Sequence, residues 1–552
     1  MPPYALDAVP AERLDAAAER VRVAHDVTLP SLDYLNMSPC AEHAAISDAP
    51  VLECHQCGMV PKRHQRVGAT WLFLKRKGLL ADQMGVGKSL SAMIVLALAT
   101  QAGEFDPARG GGRALVVCRP PALDQWRGEL RRALPSLPAE IADGPVSVRS
   151  DVYAEPWQIL VMGFQMLQRD IEVIERLGIE HLIVDDVDPI RHSETKTALV
   201  VKRLSNQCRR TIVLSGTPLQ KRLEELYDLY TLFDGPQVLG SKTAFKNRYK
   251  VVAPAKIQIR GGGRSVNVLA YHRRLDEFRD LTKHLALRRT VDDIDDVELP
   301  DVIPSNVFLD LHPAQRERYD ELADGVVRLI REEGTSVKRA TALTKILYGT
   351  QICEGLAALG EEDGPGVSVK LDWLMDQITG DWSGETDDDP GEKVIVFAQF
   401  KAGVRALAER LRGAGIGYVT VTGDDRNRAS RAAAQSRFWT DPHCRVLIGT
   451  SAIEQSLNLQ VSRRVVNVDQ LMNPARMNQI AGRARRIGSV HRSVYVHNLL
   501  TTNTHEERIL ALLQSEAALS SYLWHESDPI YSPITPIQLL SSIVSAAGGL
   551  GG

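Results

Sequence analysis

Nowhere in the 552 residues is there an apolar run long enough to cross a bilayer as a helix, which takes about twenty residues. The opening segment, MPPYALDAVPAERLDAAAER, also lacks the basic start and apolar middle of an export signal. Both absences point to a soluble cytoplasmic chain with no membrane partner, nucleoid-associated in a bacterium or in host cytoplasm for a viral protein. An excess of one charge is missing too. With 66 Lys and Arg against 69 Asp and Glu the net charge is −3, so no global basic field draws the chain to a polyanion. Any nucleic-acid contact must use local patches, backbone amides and hydroxyls. Cysteine is scarce and odd in number, seven, which argues against a disulfide framework and for reduced thiols. Internal repeats are absent. Apolar residues are not scarce: at 44% they suffice for two or three domain cores.

What is present is a set of motifs in a fixed order. Residues 79–89 read LLADQMGVGKS, a short apolar stretch, a glycine turn and the start of an apolar helix, SLSAMIVLALAT. Gly85 and Gly87 let backbone N–H groups close around phosphate oxygens, Lys88 offers a cation to the outer phosphates, and the Ser89 hydroxyl suits magnesium. The match to G-x4-G-K-[ST] departs at Asp82, where glycine is the rule. About a hundred residues on, HLIVDD is an apolar strand ending in carboxylates. A strand-end aspartate is where P-loop enzymes hold the metal bridging the β- and γ-phosphates, which assigns Asp185 to magnesium and Asp186 to orienting and deprotonating the attacking water.

TIVLSGTPLQKRLEELYDLYTLF (211–233), LALRRTVDDIDDVELP (285–300) followed by QRERYDEL (315–322), and QICEG (351–355) then resemble the Swi/Snf-related ATPases of helicase superfamily two. KVIVFAQF (393–400), VLIGTSAIEQSLNLQ (446–460), VVNVDQLMNPARMNQIAGRARRIG (465–488) and THEERIL (504–510) are similar to that family's second-lobe motifs. The resemblance covers roughly residues 60–515. It implies an α/β fold of two RecA-like lobes with parallel sheets, ATP between them, and a helical insertion. It further implies that Gln65 reads the adenine edge and that Arg483 and Arg486 act as arginine fingers, with Gln479 and Gly482 completing their motif. Ser215, Gly216 and Thr217 would couple nucleotide state to lobe closure, while Thr450 and Asn458 would lie along the DNA track and cleft. The segments ALVVCRPPALDQWRGEL (114–130) and ILVMGFQML (159–167) correspond to ones that touch nucleic-acid backbone, through the loops that follow their strands.

Two departures stand out. Relatives carry Asp-Glu-Ala-His where this chain has Asp185-Asp186-Val187-Asp188, one methylene shorter at the base. A glycine-rich loop expected after Ala452 is replaced by Ile453-Glu454-Gln455-Ser456.

Outside the motor, CAEH (40–43) and CHQC (54–57) give C-x2-H-x10-C-x2-C. Cys40, His43, Cys54 and Cys57 have the paired spacing of a tetrahedral structural zinc site, with His55 and His64 as substitutes for His43; the alternative is ordinary thiols. The expected organisation is an N-terminal extension (1–60), lobe 1 (61–235), a mostly helical insertion with a glycine break at GGGR (236–370), an acidic linker (371–392), lobe 2 (393–515) and a tail (516–552). The function implied is a DNA-stimulated ATPase translocating on double-stranded DNA. Its alternatives are a strand-separating or fork-remodelling helicase, for which forked or single-stranded DNA is the partner, and a catalytically weak ATP-dependent clamp.

Overall fold

In the computed structural model the described residues are 61–507, except 107–110, 220–222, 234, 260–261, 295–298, 334–338, 361–365, 385–389, 425–427, 455–458, 471–473, 487–488 and 490, together with Ile543. Cys40, His43, Cys54, Cys57 and Asn458 lie outside them, as do residues 1–60 and, Ile543 apart, the 516–552 tail. Among the described residues no helix is long and apolar enough to cross a membrane.

The chain forms two compact units, 1–249 with 274–298, and 250–273 with 299–552. The first runs α1 (Arg63–Lys75), β1 (Lys77–Leu80), α2 (Lys88–Gln101), β2 (Arg113–Cys118), α3 (Leu123–Ala133), β3 (Ala139–Ala142), α4 (Val146–Ala154), β4 (Ile159–Gly163), α5 (Phe164–Arg176), β5 (Ile179–Asp185), α6 (Lys196–Gln207) and β6 (Arg210–Leu214). Three short helices follow, α7 (Leu223–Tyr230), α8 (Gly235–Leu239) and α9 (Lys242–Tyr249). The hairpin β7 (Lys250–Ile259) and β8 (Gly262–His272) goes with the second unit, after which α10 (Leu275–Thr282) and β9 (Ala286–Leu287) return to the first. All seven strands of its sheet are parallel, in the order β3-β4-β2-β5-β6-β1-β9. Parallel strands covered on both faces need unbroken apolar runs, and RALVVC, ILVMG and RTIVL are buried almost throughout. α2 is apolar on every side because it is buried on every side from Ser91 to Ala99.

The second unit contains β10 (Asp301–Leu309), α11 (Pro313–Glu333), α12 (Arg339–Glu354), α13 (Val369–Thr379), β11 (Val394–Phe397), α14 (Lys401–Gly413), β12 (Gly417–Val421), α15 (Arg428–Thr440), β13 (Cys444–Gly449), β14 (Arg464–Asn467), α16 (Pro474–Ala484) and β15 (Ser493–Thr501). Its six-stranded sheet, β10-β15-β14-β11-β13-β12, is again all parallel. Alternate residues of β11 separate its two cores. Val394 and Val396 join Leu371, Leu374, Leu407 and Leu411 of α13 and α14, whereas Ile395 and Phe397 join Phe438, Ile480 and Ala484 of α15 and α16. In the first turn of α13, fully buried Lys370 donates to Glu506 Oε1 at 2.6 Å and to Val468 O at 2.7 Å, which satisfies a cation that desolvation would otherwise make costly.

Two expectations change here. Among the described residues of 236–370 the first helices go with the first unit, 250–259 and 262–272 pair as an antiparallel hairpin, and residues from 299 on go with the second unit. Gly262–Arg264 of GGGR open β8 and pair with Ile257–Ile259. The stretch 371–392 begins with α13, whose Leu371, Leu374 and Ile378 are core, so the linking segment starts only after Thr379. Ser368 caps this helix, its Oγ accepting from Leu371 N at 3.2 Å.

Candidate active site

Leu80 at the end of β1 pairs with Leu214 of β6, and Asp185 at the end of β5 pairs with the same Leu214. Three motifs distant in sequence therefore leave the sheet at one level of its carboxyl edge, where open α/β sheets bind ligands. A backbone bond from Ser215 N to Leu80 O, 3.0 Å, ties the first and third directly.

The turn after β1 has φ of 91° at Gly85 and 86° at Gly87, a conformation that favours glycine. Lys88 opens α2, and its Nζ donates to the carbonyls of Asp82 (2.8 Å) and Gln83 (3.0 Å). A phosphate oxygen is a stronger acceptor than either neutral carbonyl, so these partners are exchangeable. Gly216 lies close to the same ammonium: a Cβ on it would stand 3.5 Å from Lys88 Nζ and overlap Met84 Cγ. Ser89 is the second residue of α2.

Asp82 has a structural reason to replace glycine. Its fully buried carboxylate receives a fork from Arg289, Nε to Oδ1 at 3.1 Å and the terminal nitrogen to Oδ2 at 2.5 Å, while Arg289 also donates to His64 O at 2.8 Å. The neighbouring Arg288 donates to Ala81 O at 3.0 Å, and burial brings its guanidinium down to about 10. The LRRT segment after β9 thus braces the root of the P-loop from the sheet edge. Gln65 braces the loop's tip. Its Nε2 donates to Val86 O (2.9 Å) and Gly87 O (3.4 Å), its Oε1 accepts from Lys62 N, and His64 Nε2 also meets Val86 O at 2.9 Å.

Asp185 Oδ2 accepts from Trp126 Nε1 at 2.7 Å. Burial, with the adjacent Asp186 adding to it, pushes the Asp185 carboxyl up to about 6 against the opposing pull of Trp126 and Lys88. Asp186 has φ of 83°, uncommon for a residue with a side chain and found where strain serves a site. Its Oδ1 accepts from Asp188 N at 3.0 Å and its Oδ2 from Arg119 Nε. Burial and Asp188 raise this carboxyl above its ordinary range, while Arg119 pulls it down. Asp188 accepts from Arg119 (2.9 Å) and from Arg191. Arg191 continues to Thr217 O (3.1 Å), Pro218 O (2.9 Å) and Glu225 Oε2 (3.2 Å). One network thus joins the loop after β2, the end of β5 and the loop after β6. Ser215 closes the last of these, its Oγ accepting from Thr217 N at 3.1 Å.

In the second unit, Thr450 is buried after β13 and its N donates to Val421 O at 3.1 Å. Ile453 and Glu454 end a short 3-10 turn begun at Ser451. Gln479, Gly482 and Arg483 lie on α16, and Arg486 falls two residues beyond its end, its Nε turning back to Gly482 O at 3.2 Å. The carbonyl of Arg483 accepts from Leu459 N at 3.1 Å, and the intervening Arg485 donates to Pro300 O at 2.8 Å.

Sequence reasoning missed the roles of His64, Arg119, Trp126, Arg191 and Arg289. Arg289 carried a signal in the LRRT string, and Arg119 and Trp126 in the 114–130 segment, but neither string reveals its partners.

Two parallel α/β units, the first with a P-loop lysine, strand-end carboxylates and a third loop at one sheet edge, define a two-lobed P-loop protein of the helicase type. The family model of the SNF2-related domain matches residues 64–357 and that of the helicase conserved C-terminal domain residues 369–488; the chain belongs to the SNF2-related family. It is 25% identical over 475 residues to the putative ATP-dependent helicase/translocase YwqA of Bacillus subtilis, covering 83% of this chain and 48% of that one. It is 22% identical over 489 residues to an uncharacterized ATP-dependent helicase of Mycoplasma pneumoniae, covering 87% and 44%. The chain spans about half the length of these curated relatives. A solved SWI2/SNF2 ATPase core of Sulfolobus solfataricus in complex with double-stranded DNA is 23% identical, covering 84% of this chain and 93% of that one, with a TM-score of 0.37.

Proposed function

We propose that the chain is an ATPase core whose hydrolysis is stimulated by double-stranded DNA and drives translocation along the duplex, in bacterial or viral replication, repair or remodelling. The observation that carries the reading is the continuous hydrogen-bonded edge of the first sheet, running from the Lys88 turn through Ser215–Thr217 to Asp185 and Asp186. Lys88 binds the outer phosphates. Ser89 and Asp185 are the hard oxygen donors magnesium takes, and a carboxyl pushed up by burial is one in want of a cation. Magnesium, when bound with ATP, supplies charge to the β- and γ-phosphates. Asp186 orients the attacking water and accepts its proton, and Gln65 exchanges its loop contacts for the adenine edge. Arg483 and Arg486, with Gln479 and Gly482, act on the transition state, while Thr450 and Asn458 couple it to DNA. Phosphate release with and without duplex DNA tests this directly, a duplex-independent rate counting against it. Triplex displacement without strand displacement separates a duplex tracker from a strand-separating helicase. Zinc at Cys40, His43, Cys54 and Cys57 rests on spacing alone, and elemental analysis of chelator-free protein checks it.

One observation favours the second reading, a weak ATP-dependent clamp: Asp186 is already engaged by Arg119. A rate near background even at saturating duplex supports that reading.

A further inference from the structure

We propose that Arg119 is a latch on Asp186, released when a nucleic-acid phosphodiester takes over its guanidinium. The inference rests on the reading of this unit as a nucleic-acid-stimulated ATPase. Arg119 is the first residue after β2, in the loop that ends in two prolines, Pro120 and Pro121. These fix the local backbone, so any response lies in the side chain. Its fork spans two carboxylates at once, Nε on Asp186 and a terminal nitrogen on Asp188 at 2.9 Å. With Asp188 N on the other oxygen at 3.0 Å, both oxygens of Asp186 are committed. A carboxylate so held presents less of itself to a water molecule.

Among the described residues Arg119 is the cation paired with Asp186, whereas Asp188 has a second one in Arg191. Removing Arg119 therefore frees Oδ2 of Asp186, while Oδ1 stays on Asp188 N and Asp188 stays anchored to the loop after β6 through Arg191. The side chains concerned are about a quarter exposed, Arg119 27%, Asp186 28% and Asp188 24%, so the pair stands at the solvent boundary. A phosphate arriving from solvent can therefore reach the guanidinium. The guanidinium fork fits phosphate as well as carboxylate, and a duplex backbone offers phosphates at high local density. Competition for one arginine then links DNA binding to release of the hydrolytic carboxylate.

Linkage makes the proposal testable from both ends. In phosphate-release assays without DNA, Arg119→Gln and Arg119→Met should each turn over several-fold faster than wild type, with the stimulation by duplex falling toward onefold; Arg119→Lys should sit between. In the nucleotide-free protein, Asp186→Asn should tighten binding to a short fluorescent duplex several-fold by leaving Arg119 only its pair with Asp188, and Asp186→Asn/Arg119→Gln should lose that gain. The binding arm does not depend on hydrolysis. If the Arg119 variants slow turnover at unchanged stimulation, or Asp186→Asn leaves duplex affinity unchanged, Arg119 is a strut and the latch is overturned. A wild type that hydrolyses ATP without responding to DNA also overturns it. A wild type with no turnover removes the function proposed above, and the binding cycle alone then decides the latch.

Discussion

Lys88 and Asp82 show how single side chains divide the work at the nucleotide site. Lys88 Nζ donates to two carbonyls of its own turn, where the proposed phosphate site lies. Lys88→Ala should therefore bring ATP hydrolysis to background while leaving duplex affinity within about twofold; phosphate release and fluorescence anisotropy on one preparation check both halves. Asp82 occupies a position where P-loops carry glycine, so Asp82→Gly improves the match to the pattern. It should nonetheless destabilise the first unit by about 3 to 5 kcal/mol, because it strands the buried Arg289 without its carboxylate. Urea unfolding measures this, and Asp82→Gly with Arg289→Met should recover much of the loss. A single Asp82→Gly as stable as wild type would mean the pair is not the brace it resembles.

At the scale of elements, α16 carries the arginines proposed as fingers. Arg483 lies in its last turn and Arg486 past its end, folded back on Gly482 O. Contacts made to charge that develops only in the transition state change turnover more than ground-state affinity. Arg483→Ala and Arg486→Ala should accordingly each lower kcat by an order of magnitude or more while ATP affinity shifts by less than about threefold. Nucleotide binding and steady-state rates measured together decide it, and loss of affinity at unchanged kcat would assign these arginines elsewhere. Arg485, which donates to Pro300 O, should instead affect stability when replaced by alanine.

The whole molecule should be acid-sensitive in both units. Burial brings His181 in the first and His505 in the second down to about 4. Both are almost fully buried. In the unfolded chain each titrates near 6.5, so the unfolded state binds protons first and stability falls as pH drops from about 6.5 to about 4. Each contributes roughly 3 kcal/mol to that loss. His505 bonds Tyr319 and Thr350 through its two ring nitrogens; His505→Gln keeps a polar group there without the proton and should flatten the pH dependence of the second unit's unfolding. An unchanged slope would remove His505 as the cause.

The sequence by itself determined the motif order and hence the family, the two parallel sheets, the glycine turn after β1 and the carboxylates at the end of β5. Phosphate binding uses contiguous backbone amides, and a buried parallel strand needs a contiguous apolar run, so both leave local marks. Only the tertiary structure decided why Asp82 is tolerated, that Gln65 grips the turn after β1, that Asp186 pairs with Arg119, and that residues 250–259 and 262–272 pair as a hairpin. Arg289 reaches Asp82 across 207 residues and Arg119 reaches Asp186 across 67. Pairings of that kind are made by the fold bringing strand ends together; they carry no periodicity and no spacing rule, so nothing in the linear chain announces them.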